Sequence, residues 1–247
     1  MEMNPCIILT HNCCELTKRC VQSVKEQSLQ VSVLIHDNGS TDGTLDWLRQ
    51  DQYVSYKATE NIGVSAGWNR ELEFFFDELD HEHCLVLNND VVLAPWFYRE
   101  LLSYDAPFVS GFSVGTMDEM KELPGRVPLA GGPDFSAFLI RRSAWRKIGP
   151  FDEKMKFYAQ DCDYHIRAAR EGVPLLTAHL PFYHERSSTL RLASPEEAEQ
   201  IHAQANRDRE AFKKKWGFEV GSEQYARAVG SLAGSAVPFP GEICESL

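Results

Sequence analysis

The chain has no apolar run long enough to cross a bilayer. It has no G-x-G-x-x-G after its first apolar run, which counts against an NAD-binding sheet. It also has no G-x-x-x-x-G-K followed by Ser or Thr, which counts against a P-loop enzyme. Cysteines at zinc spacing are absent too. Cys13, Cys14 and Cys20 sit in apolar or helical surroundings, and the odd total of 7 suits reduced thiols. Basic residues are short relative to acids: 25 Lys and Arg against 36 Asp and Glu leave a net charge of −11, which disfavours a general nucleic-acid or anionic-membrane surface. The start, Met1-Glu2-Met3-Asn4-Pro5, lacks the basic residues of a signal peptide, so a cytoplasmic location is expected.

What is present is a globular composition. With 43% hydrophobic and 25% charged residues over 247 positions, the chain can build one large α/β domain, with or without a tail. Apolar runs at residues 6–10, 31–35 and 85–87, and the alternation from Val54 to Lys57, read as strands. Helical spacing follows each of the first three in chain order, in the stretches from Leu16 to Val24, 44–50 and 64–79. Strand and helix alternating in this way predict a parallel sheet joined by right-handed crossovers. The second half predicts helices at 95–104, 141–148 and 160–171 and strands at 108–112, 135–140, 174–177 and 180–183. Residues 116–133, rich in Gly, Pro and charge, read as a loop. Ser194-Pro195-Glu196-Glu197 has the form of a capped helix start, with the helix running to about Trp216.

The polar clusters fall where the strands end. The first strand runs into Thr10-His11-Asn12, the second into Asp37-Asn38-Gly39-Ser40-Thr41-Asp42-Gly43, and the fourth into Asn88-Asn89-Asp90. Ligands of open α/β sheets collect outside the carboxyl ends of the strands. A carboxylate there has the hard oxygen chemistry that suits Mg²⁺ or Mn²⁺. Taken alone, each cluster also reads as an ordinary Asn/Asp turn, and Asp42 as a cap of the second helix.

Four blocks in order give the chain a resemblance to the family 2 glycosyltransferases of GT-A fold, bacterial or phage type. They are Ile8 to Asn12 with Val33 to Thr44, Asn61-Ile62-Gly63-Val64-Ser65-Ala66-Gly67-Trp68-Asn69, Leu87-Asn88-Asn89-Asp90, and a last set. That set is Ile148-Gly149-Pro150-Phe151-Asp152-Glu153, then Gln160-Asp161-Cys162-Asp163, then His184-Glu185-Arg186-Ser187-Ser188. The closing Lys214-Lys215-Trp216-Gly217 is similar to the end of many bacterial members. The resemblance implies an α/β GT-A fold: a Rossmann-like, mostly parallel sheet flanked by helices, with a C-terminal helix and tail. It implies a transferase domain over residues 1–190, with a nucleotide-binding half at 1–93 and an acceptor half at 94–190, and a helix and tail at 191–247.

The resemblance also implies site roles. Asn88-Asn89-Asp90 stands where the family has D-x-D, with only the last Asp kept. Asp90 and His184 would hold Mn²⁺ or Mg²⁺, which offsets charge on the departing diphosphate. Thr10, Asn12, Asp37, Gly63, Asn69, Asn88 and Asn89 would line the donor nucleotide, and Arg70 stands near its phosphates or in solvent. Asp161 matches the catalytic base, with Gln160 where many members have Glu. Its alternative is a helix N-terminal acid complementing the dipole. Asp163 and Asp134 would lie at the acceptor, and His165, one turn from Asp161, would tune it or face water.

The implied function is an inverting, metal-dependent transferase moving a sugar from a nucleoside-diphosphate sugar, UDP-linked in many relatives, to an acceptor hydroxyl. A catalytically inactive sugar-nucleotide-binding module and a nucleotidyltransferase are the alternatives. The first 15 residues lack the glycine-rich basic loop of the latter. The acceptor stays open among glycan, lipid-linked sugar, peptide, small molecule and modified DNA base. The last would need a basic strip from Arg141, Arg142, Arg146 and Lys147.

Overall fold

The computed structural model describes residues 4–58, 60–120, 133–185, 191 and 193–230. Eight strands form one sheet in the order β3-β2-β1-β4-β7-β6-β8-β5. They are β1 (Asn4–Thr10), β2 (Val31–Asp37), β3 (Ser55–Lys57), β4 (His83–Asn88), β5 (Val91–Val92), β6 (Phe108–Val114), β7 (Ala137–Arg141) and β8 (Leu175–His184). The helices are α1 (Cys14–Lys25), α2 (Thr44–Gln50), α3 (Val64–Glu73), α4 (Phe97–Leu102), α5 (Arg142–Ile148), α6 (Gln160–Arg170), α7 (Pro195–Trp216) and α8 (Glu223–Gly230). This is the Rossmann-like GT-A arrangement. Strands β1 to β4 pair in parallel, and the second half is mixed: β7 runs antiparallel to both β4 and β6, while β6 and β8 are parallel.

The central strand shows why the pattern folds this way. From Pro5 to Thr10 every residue of β1 is buried, as expected of a parallel strand covered on both faces. Cys6 and Ile8 face a layer built with Val21, Val24 and Leu101 from α1 and α4. Ile7 and Leu9 face the other, built with Trp68, Leu72, Phe76 and Trp145. A third cluster lies outside α6, where Cys162 and Ile166 meet Phe212 of α7 and Tyr225 and Val229 of α8.

Three elements differ from the sequence reading. The helix expected over 64–79 is α-helical only to Glu73 and continues as a π turn, Phe74–Glu78. The wider turn lets two consecutive aromatics, Phe75 and Phe76, both face inward. The two strands expected at 174–177 and 180–183 are one strand, β8. Its pairing with β6 shifts register between Ser110 and Phe112, and that irregularity accommodates Pro181 inside a strand. Gly111 sits at the shift, where a Cβ would lie 2.4 Å from the Leu180 carbonyl oxygen. The two-residue β5 and helix α8 carry too few periodic residues to be legible in the sequence. The start of α7 matches its reading: Ser194 Oγ accepts from Glu197 N (3.2 Å), and Glu197 Oε2 accepts from Ser194 N (2.8 Å). Of the loop expected at 116–133, residues 121–132 lie outside the described residues, as do Arg186, Ser187, Ser188 and the tail from residue 231.

Candidate active site

The carboxyl ends of β1, β2 and β4 deliver the polar clusters to one edge, where hydrogen bonds tie them together. Asn89 donates to Thr10 Oγ1 (3.1 Å), to Thr17 Oγ1 (3.0 Å) and to the Asn12 carbonyl (3.3 Å), so it fastens the end of β4 to the loop after β1. Asn12 accepts from Thr41 N (2.8 Å) and donates its own N–H to Ser40 Oγ (2.7 Å), which holds the loop after β2. Asn12 and Cys13 both have φ of 57°, a left-handed conformation that non-glycine residues avoid. Such strain persists where the surroundings enforce it, and it clusters at functional sites.

Asp37 ends β2 with no exposed surface. Its Oδ1 accepts from Ser40 N at 2.8 Å, while its Oδ2 is buried with no hydrogen-bond partner among the described residues. A buried carboxylate oxygen without a donor is costly, and a ligand N–H or O–H would satisfy it. Next to it, Asn38 bridges to the third loop: its Oδ1 accepts from Ile62 N (2.9 Å) and its Nδ2 donates to Asn61 Oδ1 (2.9 Å) and the Gly63 carbonyl (3.2 Å). Gly63 has φ of +96°, and a Cβ there would press on Lys156 at 2.9 Å, so the position needs glycine. Asp42 is not the N-cap of the second helix, which is Gly43, but it holds two helix starts: its Oδ1 accepts from Thr44 N (3.1 Å), and its Oδ2 accepts from Cys14 N at the start of α1 (3.0 Å).

Antiparallel pairing of β5 with β8 sets Val91 opposite His184 and so brings Asp90 to His184. His184 Nε2 lies 3.2 Å from Asp90 Oδ1, and both side chains are mostly buried. Among the described residues, no group of three or more His, Cys, Asp and Glu converges as a self-sufficient metal cage. A carboxylate oxygen and an imidazole nitrogen at this spacing fit a divalent cation that takes its remaining ligands from a substrate and water. Glu185, the next residue, is held by Arg19 (3.1 Å), Arg191 (2.6 Å) and the Tyr183 hydroxyl (3.1 Å).

Asp161 occupies the first turn of α6, after Ala159, whose φ is 63°. Burial raises its carboxyl above the usual aspartate range, and the neighbouring negative charge of Asp134 adds to the rise; hydrogen bonds from the backbone, Cys162 N among them, oppose it. Asp134 is tied to the sheet edge: its Oδ1 accepts from Ser136 N (2.9 Å), and the Ser136 carbonyl accepts from Asn88 N (2.9 Å). Gln160 is buried, and its side-chain oxygen has no partner among the described residues.

Other residues expected at the site are engaged elsewhere. Asn69 is buried, and its amide clips the loop before α6: Oδ1 accepts from Phe151 N (2.7 Å), while Nδ2 donates to the Phe151 carbonyl (2.9 Å) and Glu153 (3.0 Å). Asp163 has no exposed surface and takes Arg167 (2.8 Å), Lys215 (2.6 Å) and the Trp216 indole N–H (3.0 Å). The Lys215-Trp216 signature therefore locks α7 to α6. Asp163→Ala should destabilise the fold by about 3 kcal/mol, the lower end for breaking a buried pair because Lys215 keeps Asp152. Urea denaturation checks this, and stability unchanged within about 0.5 kcal/mol would contradict it.

Arg70 stacks on Tyr56, with its guanidinium 3.7 Å from the ring centre. His165 packs against Tyr225, and burial pushes its pKa down to about 4. Most of the basic strip is engaged within the fold: Arg141 donates to the Ala106 and Tyr104 carbonyls, Arg142 pairs with Asp80 and Glu82, and Arg146 lies 3.9 Å from Asp77, while Lys147 is exposed. Sequence reading missed Asp208, which reaches the site's border from α7 and stands in no motif.

A family model described as Glycosyl transferase family 2 matches residues 6–151, from the buried centre of β1 to the loop that leads to α6. The chain belongs to glycosyl transferase family 2. As a glycosyltransferase it also shares its fold with solved structures at low sequence identity. A crystal structure of S. aureus TarS 1-349 aligns with TM-score 0.55 at 15% identity, covering 94% of this chain and 83% of that one. The complex of TarS 1-349 with UDP-GlcNAc aligns with TM-score 0.51 at 14% identity, covering 96% and 82%. The mannosyltransferase PcManGT from Pyrobaculum calidifontis, in complex with GDP-Man and Mn²⁺, aligns with TM-score 0.53 at 16% identity, covering 93% and 72%. The glycosyltransferase spans about half of a longer TarS structure, 49% of its length. No curated protein sequence matches it. Among the described residues, no helix is long and apolar enough to cross a membrane.

Proposed function

We propose that this glycosyltransferase inverts the anomeric carbon of a nucleoside-diphosphate sugar, with a divalent cation, and that the donor is UDP-linked. The observation that carries the reading is the connected edge. Hydrogen bonds run from Asp37 through Ser40 and Asn12 to Asn89, one residue before Asp90. From Asn88 they run through Ser136 to Asp134, the electrostatic neighbour of Asp161. Donor, leaving group and acceptor would then meet one preorganised surface. Kinship to structures bound to UDP-GlcNAc or to GDP-Man and Mn²⁺ supports a sugar nucleotide of this kind.

In this reading Asp37 Oδ2 accepts a hydrogen bond from the uracil ring or the ribose. Thr10, Asn12 and Asn89 fix the loop beside the base, and Gly63 lets the backbone approach. Asp90 and His184 would hold Mn²⁺ or Mg²⁺, which would supply charge stabilisation for the departing diphosphate. Asp161 takes the proton from the acceptor hydroxyl as it attacks. Its raised proton affinity makes it a better base than an exposed aspartate. Asp134 stands beside it on the acceptor side. One displacement with one base inverts the anomeric centre.

Asp37→Ala should weaken UDP and UDP-sugar equally, by about 10- to 100-fold, the worth of a charge-assisted hydrogen bond. Fluorescence or calorimetric titration checks this, and normal UDP affinity in the variant would refute the assignment. The function itself is tested by incubating the protein with a panel of sugar nucleotides and following free nucleoside diphosphate, with and without EDTA. UDP release that stops in EDTA is expected. Turnover undiminished by EDTA would exclude the metal, and a retained anomeric configuration in the product would exclude the single-base scheme.

A further inference from the structure

The nine residues before α6, 151–159, carry few regular backbone hydrogen bonds of their own, yet they set where Asp161 sits. Two neighbours hold them. On the donor side, Phe151 is clipped by Asn69, the Met155 carbonyl accepts from Ser65 Oγ (2.6 Å), and the Lys156 carbonyl accepts from Val64 N (2.7 Å). On the other side is Asp208 of α7, a carboxylate with no exposed surface. Its Oδ2 accepts from two consecutive backbone amides, Phe157 N (2.9 Å) and Tyr158 N (3.1 Å), and its Oδ1 accepts from Gln204 Nε2 (2.6 Å). The next residue is Ala159, with φ of 63°, and α6 starts immediately after it.

A helix-to-helix anchor does not need a buried carboxylate. Burying one is expensive unless its oxygens are filled, and here Oδ2 is filled by the backbone of the turn that aims Asp161, while Gln204 of the same helix fills Oδ1. From the Asp208 geometry we propose that this residue is a positioning residue for the catalytic base. It lies beyond residues 6–151, the part matched by the family model. The inference rests on Asp161 being the base. Asp208 touches no substrate. It holds the left-handed turn at Ala159, and through it the first turn of α6. A misplacement of about 1 Å at a reacting group can cost about 10²-fold in rate.

The test compares Asp208→Ala, Asp208→Asn and Asp161→Asn in the full chain, reading kcat, donor KM and thermal stability. Asp208→Ala should lower kcat by about 10- to 100-fold with donor KM within about twofold of the parent. Asp208→Asn should restore most of kcat. Its amide oxygen can still accept from both backbone N–H groups, and Gln204 can turn its own amide to match by giving up its two exposed bonds from Arg207 (3.0 and 2.8 Å). If Asp208→Ala does not fold, Asp208→Ser replaces it, since a hydroxyl is too short to reach both amides. Equal loss in the Ala and Asn variants, a rise in donor KM that accounts for the loss, or unchanged kcat in Asp208→Ala would each overturn the proposal. Asp161→Asn separates the two claims: if it keeps full transfer, the reading of the base fails. If it loses transfer while Asp208→Ala keeps it, only the positioning role fails.

Discussion

Asp161→Asn should reduce sugar transfer by about 10²- to 10⁴-fold, the usual worth of general-base help, while donor affinity stays near normal. The substitution keeps shape, and the Asn Oδ1 can still accept from Cys162 N, the bond Asp161 makes at 2.8 Å. A folding defect is therefore not expected. The pH profile should carry a second signature. A base works when deprotonated, so kcat should fall on acidification. Because burial and Asp134 both raise the Asp161 carboxyl, the fall should begin above the pH at which an ordinary aspartate protonates, about 3.9. Asp134→Asn removes one negative neighbour, lowers that proton affinity and should move the acidic limb to lower pH. A profile that stayed flat down to the ordinary aspartate range would contradict the assignment. So would Asp163→Asn losing more transfer than Asp161→Asn.

The second large effect is at Asp90. Asp90→Ala removes the one carboxylate that remains in Asn88-Asn89-Asp90 and leaves His184 alone at the proposed cation site. Lewis-acid help to a leaving diphosphate is worth several kcal/mol, so transfer should drop by about 10³-fold, which corresponds to about 4 kcal/mol. Stability should change little, because Asp90 and His184 sit at the sheet edge rather than in the apolar layers. The decisive comparison is UDP affinity with and without Mn²⁺. In the parent protein Mn²⁺ should tighten binding, and in Asp90→Ala it should not. A variant that kept its Mn²⁺ response would place the cation elsewhere.

The first, second and fourth strands were legible in the sequence because each has an apolar run that stops in a polar cluster, and the third by its alternation. Those stops become the carboxyl edge where Thr10, Asp37 and Asn88 stand. The mixed half was less legible. Pairing of β7 between β4 and β6 is antiparallel and long-range, and nothing in the local pattern of 137–141 encodes its neighbours. The two-residue β5 is too short for any periodicity, yet it brings Asp90 to His184. Side-chain direction was the other hidden quantity. Asn69 and Asp163 stand in family-like motifs, and the structure engages them with Phe151 and with Lys215. Asp208 was invisible for the opposite reason: an acid within the charged helix 195–216 reads as solvated surface until tertiary packing buries it.

The most direct test of the central claim is titration calorimetry of the parent protein and Asp37→Ala with UDP and GDP, each with and without Mn²⁺. One site is expected in the parent, with UDP preferred over GDP, tighter binding in Mn²⁺, and an affinity loss of about 10- to 100-fold in Asp37→Ala. Binding of neither nucleoside diphosphate by the parent, with or without Mn²⁺, would contradict a sugar-nucleotide site at this sheet edge.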